Sequence, residues 1–231
     1  MIPIRDTVHS RSLPVINWLL IILNVLAFMV MLSLGRGSEI LVNAFGVVPA
    51  RFIHQHNLYN VITIFTSMFL HGGWAHLISN MLALYIFGDN VEDRMGSFRY
   101  LQFYLLCGLI AAFVHIGFNP DSSMPTIGAS GAISGVLAAY VLFFPTARVI
   151  TLVPLFFLPW LIEIPAMIYL GMWFFSQLLN GVFTVVTGAQ AFGGVAWWAH
   201  VGGFVGGILA APLFVSRRNV RREFLDEYYP W

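Results

Sequence analysis

Charge is what this sequence has least of. Charged side chains make up 9% of its 231 residues and hydrophobic ones 59%, whereas a soluble domain carries about 25% charged residues. Mean hydropathy is +0.83. That balance excludes a water-soluble globular protein and leaves an integral membrane protein whose first partner is the lipid bilayer. Lysine is absent, so all 11 Lys/Arg positions are arginine. With a net charge of +1 and arginines scattered between apolar runs, no basic surface for nucleic acid is expected. The one cysteine, Cys107, cannot close an intramolecular disulfide, and inside an apolar run it reads as a packing residue. No H-E-x-x-H pattern occurs and the carboxylates do not stand at ligand spacing, so neither metal nor cofactor is expected. The absence of an internal repeat argues against a small transporter.

Long apolar runs are what the chain does have. A hydrocarbon core of about 30 Å takes roughly 20 helical residues. Spans are read at about 14–34, 74–92, 98–118, 130–145, 162–181 and 197–216, in a single membrane domain over 1–231. The first run is too long for a signal-peptide core and lacks a small-residue cleavage site, so it reads as a retained span. An even count puts both termini on one side. Arginines 5, 11, 94, 99, 148, 217, 218, 221 and 222 then share that side, and only Arg36 and Arg51 lie opposite. The positive-inside rule makes the terminal side cytoplasmic. The short basic tail 217–231 reads as an orientation anchor on anionic lipid.

Three segments depart from simple spans. Pro154, Pro159 and Pro165 interrupt the run after Val149, which places an interfacial segment at 149–161 and Glu163 near the cytoplasmic boundary as a solvated or helix-N-terminal carboxylate. The run from Ser130 to Phe144 stops at Pro145 and gives only about 22 Å of helix. If its lower end reaches the cytoplasmic interface, Ser130 is recessed below the outer surface, where non-helical backbone needs protein burial or a water-filled cavity. The outer connection 35–73 is too long for a turn and apolar enough to lie in the bilayer margin against the bundle.

Serine and histidine are costly in lipid without partners. Ser130 opens the fourth span within Gly128-Ala129-Ser130-Gly131, and His200 opens the sixth within Ala199-His200-Val201-Gly202-Gly203. A serine before a helix is usually a cap. Here, however, small residues recur every four positions: Gly131 and Gly135 in one span, then Ala199, Gly203, Gly207 and Ala211 in the other, with a parallel face of Gly202, Gly206 and Ala210. Such faces let helices approach closely. Both spans run inward from the outer side, so His200 comes within reach of Ser130. Neither span contains Asp or Glu, and a Ser–His dyad is the economical reading. Ser134, one turn deeper and away from the helix N-terminus, is the poorer nucleophile.

The second span opens with His71-Gly72-Gly73-Trp74-Ala75-His76 and continues to Asn80. His76 and Asn80 are four apart, share one helix face, and are both donors suited to an oxyanion beside the Ser130 N–H. His9, His54, His56 and His115 read as interface or packing residues. Gly88 to Gly96 reads as a tight turn, with Glu92 or Asp93 pairing Arg94 or Arg99.

Taken together, His71–Asn80, Val91-Glu92-Asp93-Arg94-Met95-Gly96, Gly128–Gly131 and Ala199–Gly203 resemble, in order and spacing, the rhomboid intramembrane serine proteases of bacterial type. The resemblance covers nearly the whole chain. It implies an all-α, six-transmembrane-helix bundle with a partly embedded first outer loop at 35–73. It also implies Ser130 as nucleophile, His200 as base, His76 and Asn80 at the oxyanion, Gly128 shaping the loop before the nucleophile, and 182–196 capping the site. The implied partners are transmembrane protein substrates, and the implied location is a bacterial cell membrane with both termini cytoplasmic. Two features depart from the pattern: Ser134 stands where some members stack a tyrosine on the histidine, and the first loop has no Trp-Arg pair. The competing class is a non-catalytic relative that binds transmembrane segments.

Overall fold

The computed structural model describes residues 2–155, 158–188 and 194–215. Helices dominate. Val15–Ser33 (α1) follows Pro14, whose fixed φ starts the helix and whose missing N–H costs nothing there. The second predicted span is one continuous helical stretch from Trp74 to Met95. It comprises Trp74–Ala83, a π-helical turn over Leu84–Gly88, and Asp89–Met95. Gly96 ends it at φ +83°, a left-handed conformation that suits glycine, and the chain reverses into Ser97–Phe118. Ser130–Phe143 and Trp197–Phe214 complete the centre. Among the described residues, four helices are long and apolar enough to cross a membrane: Val15–Ser33, Ser97–Phe118, Ala166–Thr187 and Trp197–Phe214. Ser130–Phe143 is apolar and short, as its sequence requires.

Numbered in chain order, the helices of the outer connection are α2 (Ser38–Phe45), α3 (Pro49–His54) and α4 (Leu58–Ser67). The second span is α5 (Trp74–Ala83) and α6 (Asp89–Met95), followed by α7 (Ser97–Phe118), α8 (Ser130–Phe143), α9 (Ala166–Thr187) and α10 (Trp197–Phe214). The long outer connection thus contains three short helices. Asn57 caps the third by accepting from the Asn60 N–H at 2.9 Å.

Small residues decide how the centre packs. A Cβ on Gly207 would meet Gly135 Cα at 2.5 Å, and one on Gly203 would strike the Gly131 carbonyl oxygen. A Cβ on Gly202 would meet Val114 at 2.6 Å, and one on Gly206 would meet Ile110 at 2.8 Å. So one glycine face of α10 lies on α8 and the adjacent face on α7. This is close backbone packing of the kind that replaces the hydrophobic effect inside a bilayer. Tyr100, Phe103, Tyr104, Cys107 and Tyr140 are fully buried around this centre, with the Cys107 side chain against Gly135.

Two expectations change. The segment 149–161 and the start of the fifth predicted span form a hairpin, Arg148–Leu155 (β2) with Leu158–Pro165 (β3), paired antiparallel from Arg148–Pro165 to Leu155–Leu158. Ile2–Asp6 (β1) adds to β2 and makes a three-stranded sheet in the order β1-β2-β3. The fifth helix accordingly begins at Ala166, after Pro165, and runs to Gly188 at φ +69° instead of ending near 181. Glu163 lies in β3, half exposed and 4.0 Å from Arg148. The turn reading of Glu92 also changes. Its carboxylate is 1% exposed and accepts from the Ile16 and Asn17 N–H groups at 3.1 and 2.7 Å and from the Ser97 hydroxyl at 2.6 Å. It therefore caps α1 and joins it to α7. The tail 217–231 and residues 189–193 of the expected cap lie outside the described residues.

Candidate active site

The loop between α7 and α8 sets the height of Ser130, and the outer connection holds that loop. Val47 and Thr126 exchange backbone hydrogen bonds at 3.0 and 2.7 Å, the Ala50 N–H donates to Ser122 O at 3.0 Å, and the Gly128 N–H donates to Ser67 O at 2.8 Å. Gly128 has φ +125°, and a Cβ there would lie 2.6 Å from His76 Nε2 and 3.7 Å from Ser130 Oγ. Only glycine gives this backbone and lets the imidazole of His76 come up beside the serine. His115, read from sequence as a packing residue, also holds this loop, with Nε2 3.0 Å from Thr126 Oγ1.

Ser130 is the first residue of α8, and its own N–H is among the unpaired donors of that helix end. Because Gly203 and Gly207 bring α10 against α8, His200 in the first turn of α10 reaches it: Nε2 lies 2.7 Å from Ser130 Oγ. His200 is 8% exposed. Its other nitrogen, Nδ1, lies 2.7 Å from Gln177 Oε1 on α9, a residue that the sequence reading did not single out. An amide oxygen cannot donate, so Nδ1 carries the proton and Nε2 is left to accept from the serine hydroxyl. Trp173 and Trp197 flank the imidazole, with ring centroids 5.8 and 6.3 Å away. Ser134 is fully buried and donates to the Ser130 carbonyl at 2.6 Å, which ties its hydroxyl to its own helix.

Across from the serine, His76 Nδ1 accepts from the Gly72 N–H at 3.4 Å. In a neutral ring that arrangement puts the proton on Nε2, beside Gly128. Asn80 is 6% exposed, and its Nδ2 lies 2.9 Å from His71 Nε2. One amide hydrogen meets His71 and the second is left for another acceptor. Ser130, His200, His76 and Asn80 all line one cavity of about 780 Å³, with apolar walls that include Ile133, Leu137 and Trp173. All the residues selected from the sequence are therefore brought together, Gly128 between two of them. The arrangement pairs a hydroxyl with a neutral base and sets the donors of His76 and Asn80 on the same cavity. Chemically, it suits acyl transfer.

Residues 58–217 match the profile of the Rhomboid domain. Among relatives, Rhomboid protease GluP of Bacillus subtilis is 38% identical over 135 residues, 57% of this chain and 25% of that protein. Rhomboid-like protein 11, chloroplastic, of Arabidopsis thaliana is 39% identical over 87 residues, 38% of this chain and 31% of its own length. Rhomboid protein 1, mitochondrial, of Saccharomyces cerevisiae is 28% identical over 152 residues, 64% of this chain and 40% of its own length. The matches thus cover well under half of each relative.

Proposed function

Because the chain belongs to the rhomboid family and is an integral membrane protein, we propose that it is an intramembrane serine endopeptidase that cuts transmembrane segments of other membrane proteins near their outer ends. The observation that carries this reading is the 2.7 Å contact between Ser130 Oγ and His200 Nε2, in a cavity that His76 and Asn80 also line. The protein resides in a bacterial cell membrane with both termini cytoplasmic, the side that carries most of its arginines.

A substrate helix unwinds near its outer end and offers an extended segment to Ser130. Helix-breaking or small residues there favour cleavage, because freeing backbone groups in lipid costs several kcal/mol per group. His200 Nε2 takes the hydroxyl proton as Oγ bonds to the scissile carbonyl carbon. The resulting oxyanion is met by the Ser130 N–H, the free Asn80 amide hydrogen and His76 Nε2–H. The imidazolium then protonates the leaving amine as the C–N bond breaks. Water, activated by the same nitrogen, hydrolyses the acyl-enzyme.

The test uses the purified protein in liposomes with a model transmembrane substrate and a fluorophosphonate probe. Wild type cleaves the substrate and is labelled, whereas Ser130→Ala and His200→Ala do neither. Cleavage by Ser130→Ala overturns the assignment. A folded wild type that binds transmembrane segments but neither cleaves nor labels establishes the non-catalytic reading in its place.

A further inference from the structure

A two-residue dyad leaves one question open in this chain: what holds the histidine in the tautomer its chemistry needs. In a Ser–His–Asp arrangement a buried carboxylate does so. Neither α8 nor α10 contains Asp or Glu, and a carboxylate charge placed this deep among apolar side chains would be costly to bury. The structure offers a neutral substitute. Gln177 is 6% exposed, although it lies on a helix whose other faces are largely open. Its amide nitrogen donates to the Trp173 carbonyl at 3.2 Å and to Ser176 Oγ at 2.9 Å. A carbonyl oxygen can only accept, so the amide cannot be turned over without setting oxygen against oxygen. With the nitrogen fixed on its own helix, Oε1 faces His200 Nδ1 at 2.7 Å.

We propose that Gln177 is a positioning residue for the base. It holds His200 with its proton on Nδ1 and Nε2 free, and it keeps the ring pointed at Ser130. The carbonyl of Trp173, acting through the amide, is what sets the direction of the imidazole. This role rests on the proposed Ser130–His200 chemistry and extends it to a third helix. Gln177 touches neither substrate nor the reacting atoms. Its removal is felt as a lower rate at unchanged substrate affinity, because the tautomer with Nε2 protonated binds substrate equally well but accepts no proton from serine.

Two variants separate this role from packing. Gln177→Met keeps the volume and an unbranched helix-forming side chain but loses the acceptor. Gln177→Glu, kept as the neutral acid by burial, retains an acceptor oxygen at the same reach and an O–H that donates to the Trp173 carbonyl in place of the amide. Each is assayed in liposomes for kcat and KM on a transmembrane substrate and for thermal unfolding, beside wild type and Ser130→Ala. The expected result for Gln177→Met is a fall in kcat of about ten- to hundredfold, the order lost when the hydrogen-bond partner behind a metal-bound imidazole is removed. KM stays within about twofold of wild type, because the lost contact is not made to substrate. Gln177→Glu stays much nearer the wild-type rate than Gln177→Met. An unchanged kcat in a folded Gln177→Met, or equal losses in both variants that track a lower unfolding temperature, overturns the proposal while Ser130→Ala remains inactive. If Ser130→Ala still cleaves, the underlying dyad fails and not merely the role of Gln177.

Discussion

The hydroxyl of Tyr140 donates to the Asp6 carboxylate at 2.5 Å, so the first strand of the chain is fastened to the helix that begins with Ser130. Asn90 donates to the same oxygen at 2.9 Å. Ten residues separate Tyr140 from Ser130, about 15 Å along the helix axis. β1 also pairs with β2. The N-terminal segment thereby braces the end of α8 opposite the nucleophile.

That brace predicts a pH dependence. Burial raises the Asp6 carboxyl to about 6, opposed in part by the Tyr140 hydrogen bond. An unfolded aspartate titrates near 3.9, so between about pH 4 and 6 the folded state binds more protons than the unfolded one. Stability contributed by the protonated carboxyl is therefore fully present below about pH 4 and is lost as pH rises to about 6. Allowing for partial exposure, the effect is about 1–2 kcal/mol. Asp6→Asn keeps an acceptor for both donors and removes the titration. Unfolding curves in detergent from pH 4 to 8 should lose stability more steeply with rising pH for wild type than for Asp6→Asn, and the variant should be the more stable of the two at pH 7. An identical slope in both assigns the titration elsewhere.

Glu92 and Glu163 should respond very unequally to truncation. Glu92 satisfies two N–H groups at the start of α1 and the Ser97 hydroxyl in a dry setting. Glu92→Ala leaves all three without an acceptor and should cost about 3 kcal/mol or more. Glu163 faces Arg148 at 4.0 Å with both side chains about half exposed, and Glu163→Ala should change stability by less than about 0.5 kcal/mol. Unfolding of both variants in one detergent provides the comparison.

Much of the architecture is local, and local features are what a sequence shows. α1, α7, α8 and α10 begin within a residue of their expected starts, because each is an apolar run opened by Pro14, Gly96, the Gly128 loop or the loop before Trp197. The glycine faces likewise revealed that α8 and α10 meet, whereas only the packing shows that the adjacent face of Gly202 and Gly206 lies on α7. The sheet was not legible, because β1 and β2 are joined across more than 140 residues and an apolar, proline-broken run looks the same in a hairpin as at an interface. Gln177 was missed for a related reason. A polar residue in an apolar helix signals a buried partner, but only the packing of α9 against α10 identifies that partner as His200. His76 was legible from its four-residue spacing to Asn80, whereas the contact of His71 with the Asn80 amide was not.

The glycine faces give a direct test of the close approach that joins serine and histidine. A Cβ on Gly207 would meet Gly135 Cα at 2.5 Å and its carbonyl oxygen at 2.6 Å. Those are backbone atoms that cannot swing aside. Gly207→Ala should cost about 3 kcal/mol, at the upper end for overpacking. It should also lower activity at temperatures where the protein is still folded, by spreading α8 from α10. Gly171, in the second turn of α9, has nothing within 4 Å of an added Cβ. Gly171→Ala should stabilise the helix by about 0.5–1 kcal/mol and leave cleavage unchanged. Equal behaviour of the two alanines would mean that α8 and α10 do not depend on backbone contact.

Asn80 and His71 form the last testable pair. His71 holds one hydrogen of the Asn80 amide at 2.9 Å and so directs the other toward the cavity shared with Ser130. Losing one oxyanion donor costs about 2.7–4 kcal/mol in soluble enzymes, so Asn80→Ala should lower kcat by up to about a thousandfold with little change in KM. Asn80→Asp should be no better, because it exchanges a donor for a negative charge facing a developing oxyanion. His71→Phe keeps the ring packed against His76, whose centroid lies 4.9 Å away, but frees the amide to rotate. Its loss should be partial, since the donor is misdirected and not removed. Combining Asn80→Ala with His71→Phe should then add little to Asn80→Ala alone, because His71 acts through that amide. Full additivity of the two losses in kcat would separate His71 from Asn80 and leave it a packing role.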